Sequence, residues 1–232
     1  MNVQCIVIAR GGSKGIPGKN IIDFCGQPLI SWTINQAKKT KLISEVWVSS
    51  DSEKILDIGR RYGAKTILRP KEFSTDTSSS EDAWTHALQH ISKKIYKPID
   101  FVVVPQVTSP IRNSYDFDRA ILQIQEENSD SLLSVNKIED RFIWSKDKSN
   151  LGRSVNYDYK NRRRRQEIEV TFLENGSFYI FRPEVLLKKK NRLADKISLY
   201  EMERHKMFQI DSLEDIKLAE VVMSGYGLNY YE

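Results

Sequence analysis

The sequence predicts an α/β domain built on a mainly parallel β-sheet. Continuous apolar runs of strand length alternate along the chain with segments whose apolar residues recur at helical spacing. Strands buried on both faces, as in a parallel sheet between two helical layers, are expected to be apolar throughout. No repeat, low-complexity tract or Pro/Gly-rich linker interrupts the alternation. We therefore expect a single domain over residues 1–232.

The first part of the chain contains most of the predicted elements. The apolar runs predict strands at residues 3–9, 45–49, 66–68, 101–104 and 131–135. Helices are predicted from Pro28, from Ser52 to a stop at Gly63, over 79–95 and over 114–127. Right-handed crossovers join such strands, and ligands bind beyond their carboxyl ends. The loops after residues 9, 49, 68 and 104 are therefore the places to look for a site.

Residues 139–170 break the alternation. They are polar and charged, rich in Arg, Asn, Asp and Tyr, and have few apolar positions at either period. Such a segment could be an extended arm, an inserted subdomain or a lid. The alternation resumes with a strand predicted at 177–181, another near 207–210, and a last helix from residue 213 to residue 222.

Composition excludes several classes of protein. An apolar content of 40% with a net charge of only +5 is that of a folded chain, not a disordered one. Two cysteines cannot build a disulfide scaffold or a zinc site. The longest apolar run, residues 101–104, is far below the ~18 residues of a membrane span. The first residues lack the basic start of a signal peptide. We therefore expect a cytoplasmic protein that does not engage a membrane.

One dense basic run occurs at residues 162–165, which are four consecutive arginines. Acidic residues are interspersed almost everywhere else, and the overall excess of positive charge is mild. A small phosphorylated or carboxylated ligand would explain such a cluster as well as a polynucleotide would. We therefore expect no nucleic-acid partner.

The loop after the first strand concentrates the residues that bind phosphate. Residues 9–20 read Ala-Arg-Gly-Gly-Ser-Lys-Gly-Ile-Pro-Gly-Lys-Asn. Glycine lets backbone N–H groups close on an anion, and Arg and Lys neutralise a polyphosphate. A Walker A pattern ending at Lys19 would need glycine at Ser13 and Ser or Thr at Asn20, so it is excluded. The spacing of the glycines also excludes the dinucleotide fingerprint G-x-G-x-x-G.

This loop resembles the signature loop of the acylneuraminate cytidylyltransferases, the family of CMP-N-acetylneuraminate and CMP-nonulosonic acid synthetases. Further blocks resemble the family in matching order, at residues 48–52, 68–70, 79–86, 105–112, 164–167, 174–179 and 210–215. The resemblance implies a Rossmann-like, mainly parallel sheet of the nucleotidyltransferase type. It also implies that 139–170 is a small inserted dimerisation arm that is exchanged between subunits.

The resemblance also implies a reaction. In the family, the anomeric hydroxyl of an acidic nonulosonic sugar (sialic acid or a legionaminic or pseudaminic relative) attacks the α-phosphate of CTP. Mg²⁺ assists, pyrophosphate leaves and a CMP-sugar forms. The implied partners are CTP, the acidic sugar and a second copy of the chain, in a homodimer with shared active sites.

The resemblance implies that residues from three of these blocks bind the nucleotide. Arg10 and Lys19 are expected to clamp triphosphate oxygens and to stabilise the charge that develops in the transition state, which makes them catalytic candidates. Arg69 is expected to approach the cytidine, and a surface salt bridge is the less favoured alternative without the resemblance. The expected nucleotide-binding set is Arg10, Gly11, Gly12, Ser13, Lys19, Asn20, Arg69 and Ser80.

A second set of residues is expected to bind the sugar. Gln106 directly follows a buried strand, where its amide can reach sugar hydroxyls. Arg165, with Gln166, resembles the pair that contacts the sugar carboxylate, which a guanidinium can hold through two bonds. Asn175 and Tyr179 resemble residues of the sugar pocket, although Tyr179 could also be a core aromatic on an alternating strand.

The metal site departs from the family pattern. The family commonly has two aspartates two residues apart before the last helix, whereas this chain has Gln209 and Asp211. Because Mg²⁺ usually needs one or two carboxylates besides substrate phosphates, Asp211 alone is expected to bind the metal and to take part in catalysis. Asp215 is an alternative, but its spacing from Ser212 also suits a residue that charges the start of the helix.

Two other functions compete with this one. A CMP-Kdo synthetase is related, but its loop typically has a Ser-x-Arg-Leu-Pro-Gly-Lys-Pro pattern that residues 13–20 match less well. An RNA-binding module centred on 162–165, with Tyr157 and Tyr159 nearby for stacking, would leave the glycine-rich loop unexplained.

Overall fold

A seven-stranded sheet organises the chain. The computed structural model describes residues 1–13, 15–138 and 142–229, and of Arg165 only the backbone. The strands are β1 (Val3–Ile8), β2 (Asp23–Phe24), β3 (Gln27–Pro28), β4 (Glu45–Ser50), β5 (Lys65–Leu68), β6 (Phe101–Pro105), β7 (Ser131–Ile138), β8 (Trp144–Lys146), β9 (Gly152–Ser154), β10 (Thr171–Phe181) and β11 (Ile197–Glu201). The helices are α1 (Leu29–Lys38), α2 (Glu53–Arg61), α3 (Ser80–Ser92), α4 (Ser114–Glu126), α5 (Pro183–Lys189) and α6 (Leu213–Gly225).

Most of the strands in this sheet run parallel. Their order is β11-β7-β10-β6-β1-β4-β5, with parallel pairs on both sides of the centre. The exception is β10, which lies antiparallel between β6 and β7 and shifts register between Glu174 and Tyr179. The predicted α/β class with a mainly parallel sheet is confirmed.

Helices cover both faces of the sheet, which explains the apolar strands. Along β6, Val103 packs into the core layer beneath α1, α4 and α6, whereas Val102 and Val104 pack into the layer beneath α3. All three side chains are fully buried. A strand enclosed in this way has no solvent-facing position that a polar residue could occupy.

The predicted strand near 207–210 is wrong. Arg204–Met207 forms a turn of 3-10 helix, and the nearby strand is β11, which precedes it. β11 is an edge strand in which Ser198 and Tyr200 face inward while Ile197 and Leu199 are exposed. Its sequence therefore does not alternate between buried apolar and exposed polar residues, which is the pattern that would have predicted a strand. Strand β10 also begins at Thr171 and not at residue 177, because its first half pairs with the end of β7 outside the core.

At two of the expected helix starts, the boundary residue plays a different part from the one predicted. Ser52 occupies the N-cap position of α2, but its side chain makes no capping hydrogen bond. Pro28 stands at the N-cap of α1 and not in its first turn. Gly63 follows α2 with a φ of 75°. Only a residue that tolerates the left-handed region fits there, so glycine ends the helix as predicted.

The segment 139–170 departs from the sheet at the far ends of β7 and β10. Its first three residues lie outside the described residues, and the rest contains the two-stranded β8–β9 hairpin and a 3-10 turn at Arg165–Glu167. Trp144 packs against Tyr157 and Tyr159, with ring centroids 5.8 and 5.5 Å away. The segment is therefore an insertion between two neighbouring antiparallel strands, and its role in dimerisation remains a prediction.

A buried guanidinium ties the sheet to the loops at its carboxyl edge. Arg112 is 1% exposed. Its Nη1 donates to the carbonyl oxygens of Ser177 (2.9 Å) and Gln106 (3.2 Å), and its Nη2 donates to Oγ1 of Thr33 (2.6 Å). Burial lowers the pKa of Arg112 to about 10. The side chain remains a cation at neutral pH and holds β6, β10 and α1 together.

Replacing Arg112 by Met tests this role. The change leaves carbonyl and hydroxyl oxygens in the core without their donor, so the free energy of unfolding should fall by about 3 kcal/mol. Urea unfolding followed by circular dichroism measures the loss. Arg61→Met, at an exposed position in the last turn of α2, is the matched control and should change stability by less than about 0.5 kcal/mol. Equal midpoints for the two variants would contradict the role of Arg112.

Candidate active site

A cleft of about 430 Å³ lies at the carboxyl ends of β1 and β5, beside the start of α3. Its lining includes most of the predicted nucleotide-binding residues, namely Arg10, Ser13, Lys19, Asn20, Arg69 and Ser80. Gly11 and Gly12 lie in the same loop but are not among the lining residues. The other polar lining residues come from 74–79, which belong to the loop after residue 68; that loop was named as a place to look for a site, but these residues were not among the candidates.

The glycine-rich loop is held in place by its neighbours. The backbone N–H of Gly11 donates to Oδ1 of Asp51 at 2.9 Å, and Nδ2 of Asn20 donates to the carbonyl oxygen of Arg10 at 3.0 Å. The Asn20 amide group therefore supports the loop, a role that was not predicted for it. A Cβ on Gly15 would stand 3.3 Å from the carbonyl oxygen of Asp211, so the loop also lies close to the segment before α6.

Arg10 is paired with an acidic residue at the cleft. Its Nη1 lies 2.8 Å from Oδ1 of Asp76 and donates to the carbonyl oxygen of Thr75 at 3.2 Å. Both side chains of the ion pair are partly exposed, Arg10 at 34% and Asp76 at 48%. A solvated pair of this kind is weak, so a triphosphate can displace Asp76.

Lys19 connects the glycine-rich loop to Asp211. Its Nζ donates to Oδ1 of Asp211 and to the carbonyl oxygen of Ile210, both at 3.0 Å. The Lys19 side chain is largely buried, whereas the Asp211 side chain is 73% exposed. The structure thus brings together Lys19 and Asp211, two of the three residues predicted to act in catalysis, and leaves the carboxylate of Asp211 open to solvent.

Arg69 is buried beside the cleft. Its Nε donates to Oγ of Ser74 at 2.8 Å and its Nη2 to the carbonyl oxygen of Ala9 at 3.4 Å, whereas its Nη1 is enclosed and has no hydrogen-bond partner among the described residues. Burial lowers the pKa of Arg69. With 4% of its surface exposed, Arg69 does not form the surface salt bridge that was the alternative. It presents a buried, unpaired donor at the cleft wall.

Ser80 stands at the first position of α3, directly after the N-cap residue Ser79. The Ser79 hydroxyl accepts from the backbone N–H of Asp82 at 3.0 Å. That bond satisfies one amide of the first turn and fixes the entry of the helix. Ser80 is thereby held at the wall of the cleft, and its contact with the nucleotide stays a prediction.

Gln106 lies at the end of β6, next to an irregular stretch of β10. Its backbone N–H donates to the carbonyl oxygen of Ser177 at 2.9 Å. On the far side, Nε2 of Gln209 donates to the carbonyl oxygen of Asn175 at 2.7 Å. Gly176 has a φ of 64°, and a Cβ there would stand 2.4 Å from Nε2 of Gln209. Gln209 therefore binds the β10 irregularity through its amide.

Asn175 and Tyr179 are engaged inside the protein. Oδ1 of Asn175 accepts from Oγ of Ser134 at 2.6 Å, and its Nδ2 donates to Oδ1 of Asn136 at 2.8 Å. Tyr179 is 3% exposed and its hydroxyl donates to Glu174. Burial, and next that bond, raises the pKa of Tyr179 to about 12. Tyr179 thus has the position of a core aromatic, and both the amide group and the backbone carbonyl of Asn175 are engaged within the protein.

The predicted carboxylate-binding pair lies on the arm. Gln166 is exposed in the turn Arg165–Glu167, and the side chain of Arg165 lies outside the described atoms. Gln166 is not among the described residues that line the cleft.

Metal binding by Asp211 would rest on few protein ligands. Among the described residues, no group of three or more His, Cys, Asp and Glu side chains could hold a metal ion. Asp215 accepts from the backbone N–H groups of Asp211 (2.9 Å) and Ser212 (2.7 Å), which lowers its pKa. It therefore caps α6 in a capping box with Ser212. The hard carboxylate oxygens of Asp211 fit a Mg²⁺ ion that is also held by substrate phosphates.

Comparison with known proteins is consistent with this geometry. The family model described as cytidylyltransferase matches residues 4–231. This chain belongs to the cytidylyltransferase family. It is 30% identical over 228 residues to the pseudaminic acid cytidylyltransferase of Campylobacter jejuni, covering 96% of each chain. It is 33% identical over 230 residues to the N-acylneuraminate cytidylyltransferase of Oncorhynchus mykiss, covering 97% of this chain and 51% of that protein. It thus spans about half the length of some relatives.

Solved structures agree on the fold of this cytidylyltransferase-family chain. A CMP:2-keto-3-deoxy-manno-octonic acid synthetase complexed with CTP superposes with a TM-score of 0.72 at 15% identity, covering 97% of this chain and 100% of that one. A 4-diphosphocytidyl-2C-methyl-D-erythritol synthase from Anaerococcus prevotii gives 0.66 at 14% identity, covering 96% and 98%. The predicted nucleotidyltransferase type of sheet is confirmed. Within the described residues, no helix is long and apolar enough to cross a membrane.

Gly176→Ala tests the contact between β10 and Gln209. The positive φ and the close approach of the Gln209 amide should together cost about 1–2 kcal/mol of unfolding free energy. Thermal or urea unfolding measures it. Gly225→Ala, in α6 with no neighbour within 4 Å, is the control and should not lower stability. A variant at 176 as stable as the control variant would show that this backbone position does not need glycine.

Proposed function

We propose that this chain transfers CMP from CTP to an acidic nonulosonic sugar, with release of pyrophosphate. The observation that carries the proposal is the composition of the cleft. Arg10 and Lys19 face it from the glycine-rich loop, and Arg69 brings a buried donor without a partner among the described residues. A buried unpaired guanidinium N–H is costly and calls for an acceptor, which the cytosine or ribose of CTP would provide. The names of the relatives support the same chemistry.

In this proposal the positive side chains act on the triphosphate. Arg10 leaves Asp76 and binds phosphate oxygens, and Lys19 binds phosphate oxygens as well while staying close to Asp211. Their charges stabilise the extra negative charge of the transition state when the anomeric hydroxyl attacks the α-phosphate. No covalent intermediate on a protein side chain is needed, because the positioned oxygen attacks directly.

Mg²⁺ is the proposed cofactor. Asp211 would hold it, together with phosphates of CTP. When bound there, the ion supplies charge neutralisation on the triphosphate. The exposed carboxylate beside Lys19 supports this assignment, and Asp215, engaged in capping α6, does not compete for the ion.

The sugar is proposed to bind beside Gln106, with help from the arm of a second subunit. Arg165 and Gln166 would contact the sugar carboxylate, and Asn175 and Tyr179 would shape the wall behind it. The arm and the strand that follows it expose many apolar side chains for their size, which supports burial against another copy in a homodimer. They are Ile143, Trp144, Leu151, Val155, Tyr159, Val170, Phe172 and Leu173.

Transfer to Kdo is the second candidate reaction. The fold likeness to the CMP:2-keto-3-deoxy-manno-octonic acid synthetase, at 15% identity, concerns the fold alone. By contrast, the curated relatives named N-acylneuraminate cytidylyltransferase and pseudaminic acid cytidylyltransferase are about 30% identical to this chain over nearly its whole length. No relative reported above supports the RNA-binding interpretation of 162–165, and that interpretation does not explain the cleft.

The proposed function is tested by assaying pyrophosphate release from CTP and Mg²⁺ with N-acetylneuraminate, legionaminate, pseudaminate and Kdo in parallel. We expect turnover with at least one of the three nonulosonic acids and little with Kdo. Omitting the sugar or replacing CTP by ATP provides the controls. Turnover with Kdo alone, or with none of the four sugars, would overturn the proposal.

Arg10→Ala should lower kcat by roughly 10²–10³-fold, because the variant lacks a cation that stabilises charge in the transition state. Stability should change little, since the ion pair with Asp76 is solvated. Steady-state kinetics and thermal unfolding measure the two effects. Arg60→Ala, which removes an arginine paired with Glu53 and Asp57 on the surface of α2, is the matched control and should keep full activity. If both variants had the same kcat, Arg10 would have no role in the reaction.

A further inference from the structure

The segment that carries Asp211 has little regular structure of its own. Between β11 and α6 it forms the 3-10 turn Arg204–Met207 and then runs without helix or strand to Ser212. Hydrogen bonds anchor its second half, and two of them reach the loop after β6 and strand β10. The backbone N–H of Ile210 donates to the carbonyl oxygen of Thr108 at 2.8 Å, and Gln209 binds Asn175. The position of Asp211 therefore depends on contacts made by its neighbours.

The first half of the segment is anchored by a buried ion pair. Lys206 is fully buried, and its Nζ lies 2.9 and 2.8 Å from the two carboxylate oxygens of Asp116, which is also fully buried. Glu203 contacts the same ammonium at 2.6 Å, and Tyr115 lies beneath it with its ring centroid 4.7 Å away. Burial alone would lower the pKa of Lys206, but the hydrogen bonds to Asp116 and Glu203 raise it, so the ammonium stays charged.

The partner of Lys206 belongs to a rigid element. Asp116 stands in the first turn of α4 and accepts from the backbone N–H of Asn113 at 2.7 Å in a capping box. The hydroxyl of Tyr200 in β11 donates to the same carboxylate at 3.3 Å. The ion pair thus fixes the turn 204–207 against the start of a helix and the last strand of the sheet.

A buried ion pair is a poor way to gain stability but an effective way to fix geometry. The free energy needed to remove two charges from water is about as large as the free energy gained from their attraction. A protein in which apolar residues of similar volume replace the pair is often as stable. The charged pair, however, satisfies its hydrogen bonds in only one arrangement. Farther along the same segment, the carbonyl of Ile210 and the carboxylate of Asp211 both meet Nζ of Lys19.

We propose that Lys206 is a positioning residue, which through its bond to Asp116 sets the Ile210–Asp211 pair opposite Lys19 in the triphosphate site. This inference rests on the proposed function, since it assigns Lys206 to the same nucleotide-binding cleft. Lys206 itself lies in the core and does not line the cleft.

The test separates position from stability by comparing Lys206→Met with the double variant Asp116→Asn, Lys206→Met. The single variant leaves a buried carboxylate without its cation and should lower the unfolding midpoint strongly. The double variant removes both charges, and its asparagine can still accept from the backbone of Asn113, so most of the lost stability should return. Lys189→Met, which breaks an exposed ion pair with Asp195, is the control for loss of a lysine.

CTP affinity is the readout that a purely structural role would not move. Isothermal titration calorimetry with CTP and Mg²⁺, at a temperature where each protein is folded, should give a Kd for the double variant at least roughly tenfold higher than for the natural chain and for Lys189→Met. Equal CTP affinity in the double variant and the natural chain would overturn the positioning role. A Lys206→Met variant as stable as the natural chain would overturn the anchoring role of the pair. Failure of the natural chain itself to bind CTP would instead overturn the proposed function.

Discussion

The architecture of the site depends on one buried cation, Arg112, which is held by neutral oxygens and by no carboxylate among the described residues. Its guanidinium binds the carbonyl oxygens of Gln106 and Ser177, where β6 ends and β10 becomes irregular. Removing a guanidinium from water costs free energy, and backbone carbonyl groups offset that cost only if several of them accept hydrogen bonds from it. This requirement fixes the relative position of two strands of opposite direction at the edge where the functional loops begin.

The cations of the cleft are also balanced by nearby groups, on a smaller scale. Arg10 and Lys19 each have an acidic partner, Asp76 and Asp211 respectively, whereas Arg69 has none at its Nη1 among the residues that the structure describes. The cleft is therefore not a region of uncompensated positive charge. These carboxylates lower the electrostatic cost of keeping the cations close together, and the more exposed pair, Arg10 with Asp76, is the one that a polyanion can most readily displace.

The sequence allowed the central elements to be predicted because burial on both faces leaves a clear apolar signal. The loop at residues 9–20 was recognisable because a simple turn requires neither so many glycines nor basic residues among them. The edge strand β11 was missed because one of its two inward-facing residues, Ser198, is polar. The apolar residues in the segment around Ile210 predict a strand, but Ile210 is buried there without being part of any strand.

Other features of the site depend on contacts that local patterns do not encode. The bond from Gly11 to Asp51 joins residues 40 positions apart, and the bond from Lys19 to Asp211 joins residues 192 positions apart. The stretch 74–79 carries hydroxyl and carboxylate groups that would be equally common in a solvated loop. The internal engagement of Asn175 could not be foreseen either, because its partners Ser134 and Asn136 come from a neighbouring strand.

The manner in which the arm leaves the sheet has a mechanical consequence. β7 and the first half of β10 continue past the core as a two-stranded ladder in which Thr171 pairs with Ile138 and Phe172 with Lys137. A twisted ribbon of this kind resists bending in its own plane far more than a single linker does. The direction in which the arm projects is therefore inherited from the twist of the central sheet, and any load on the arm is transmitted along the ribbon to the irregular stretch between Glu174 and Tyr179.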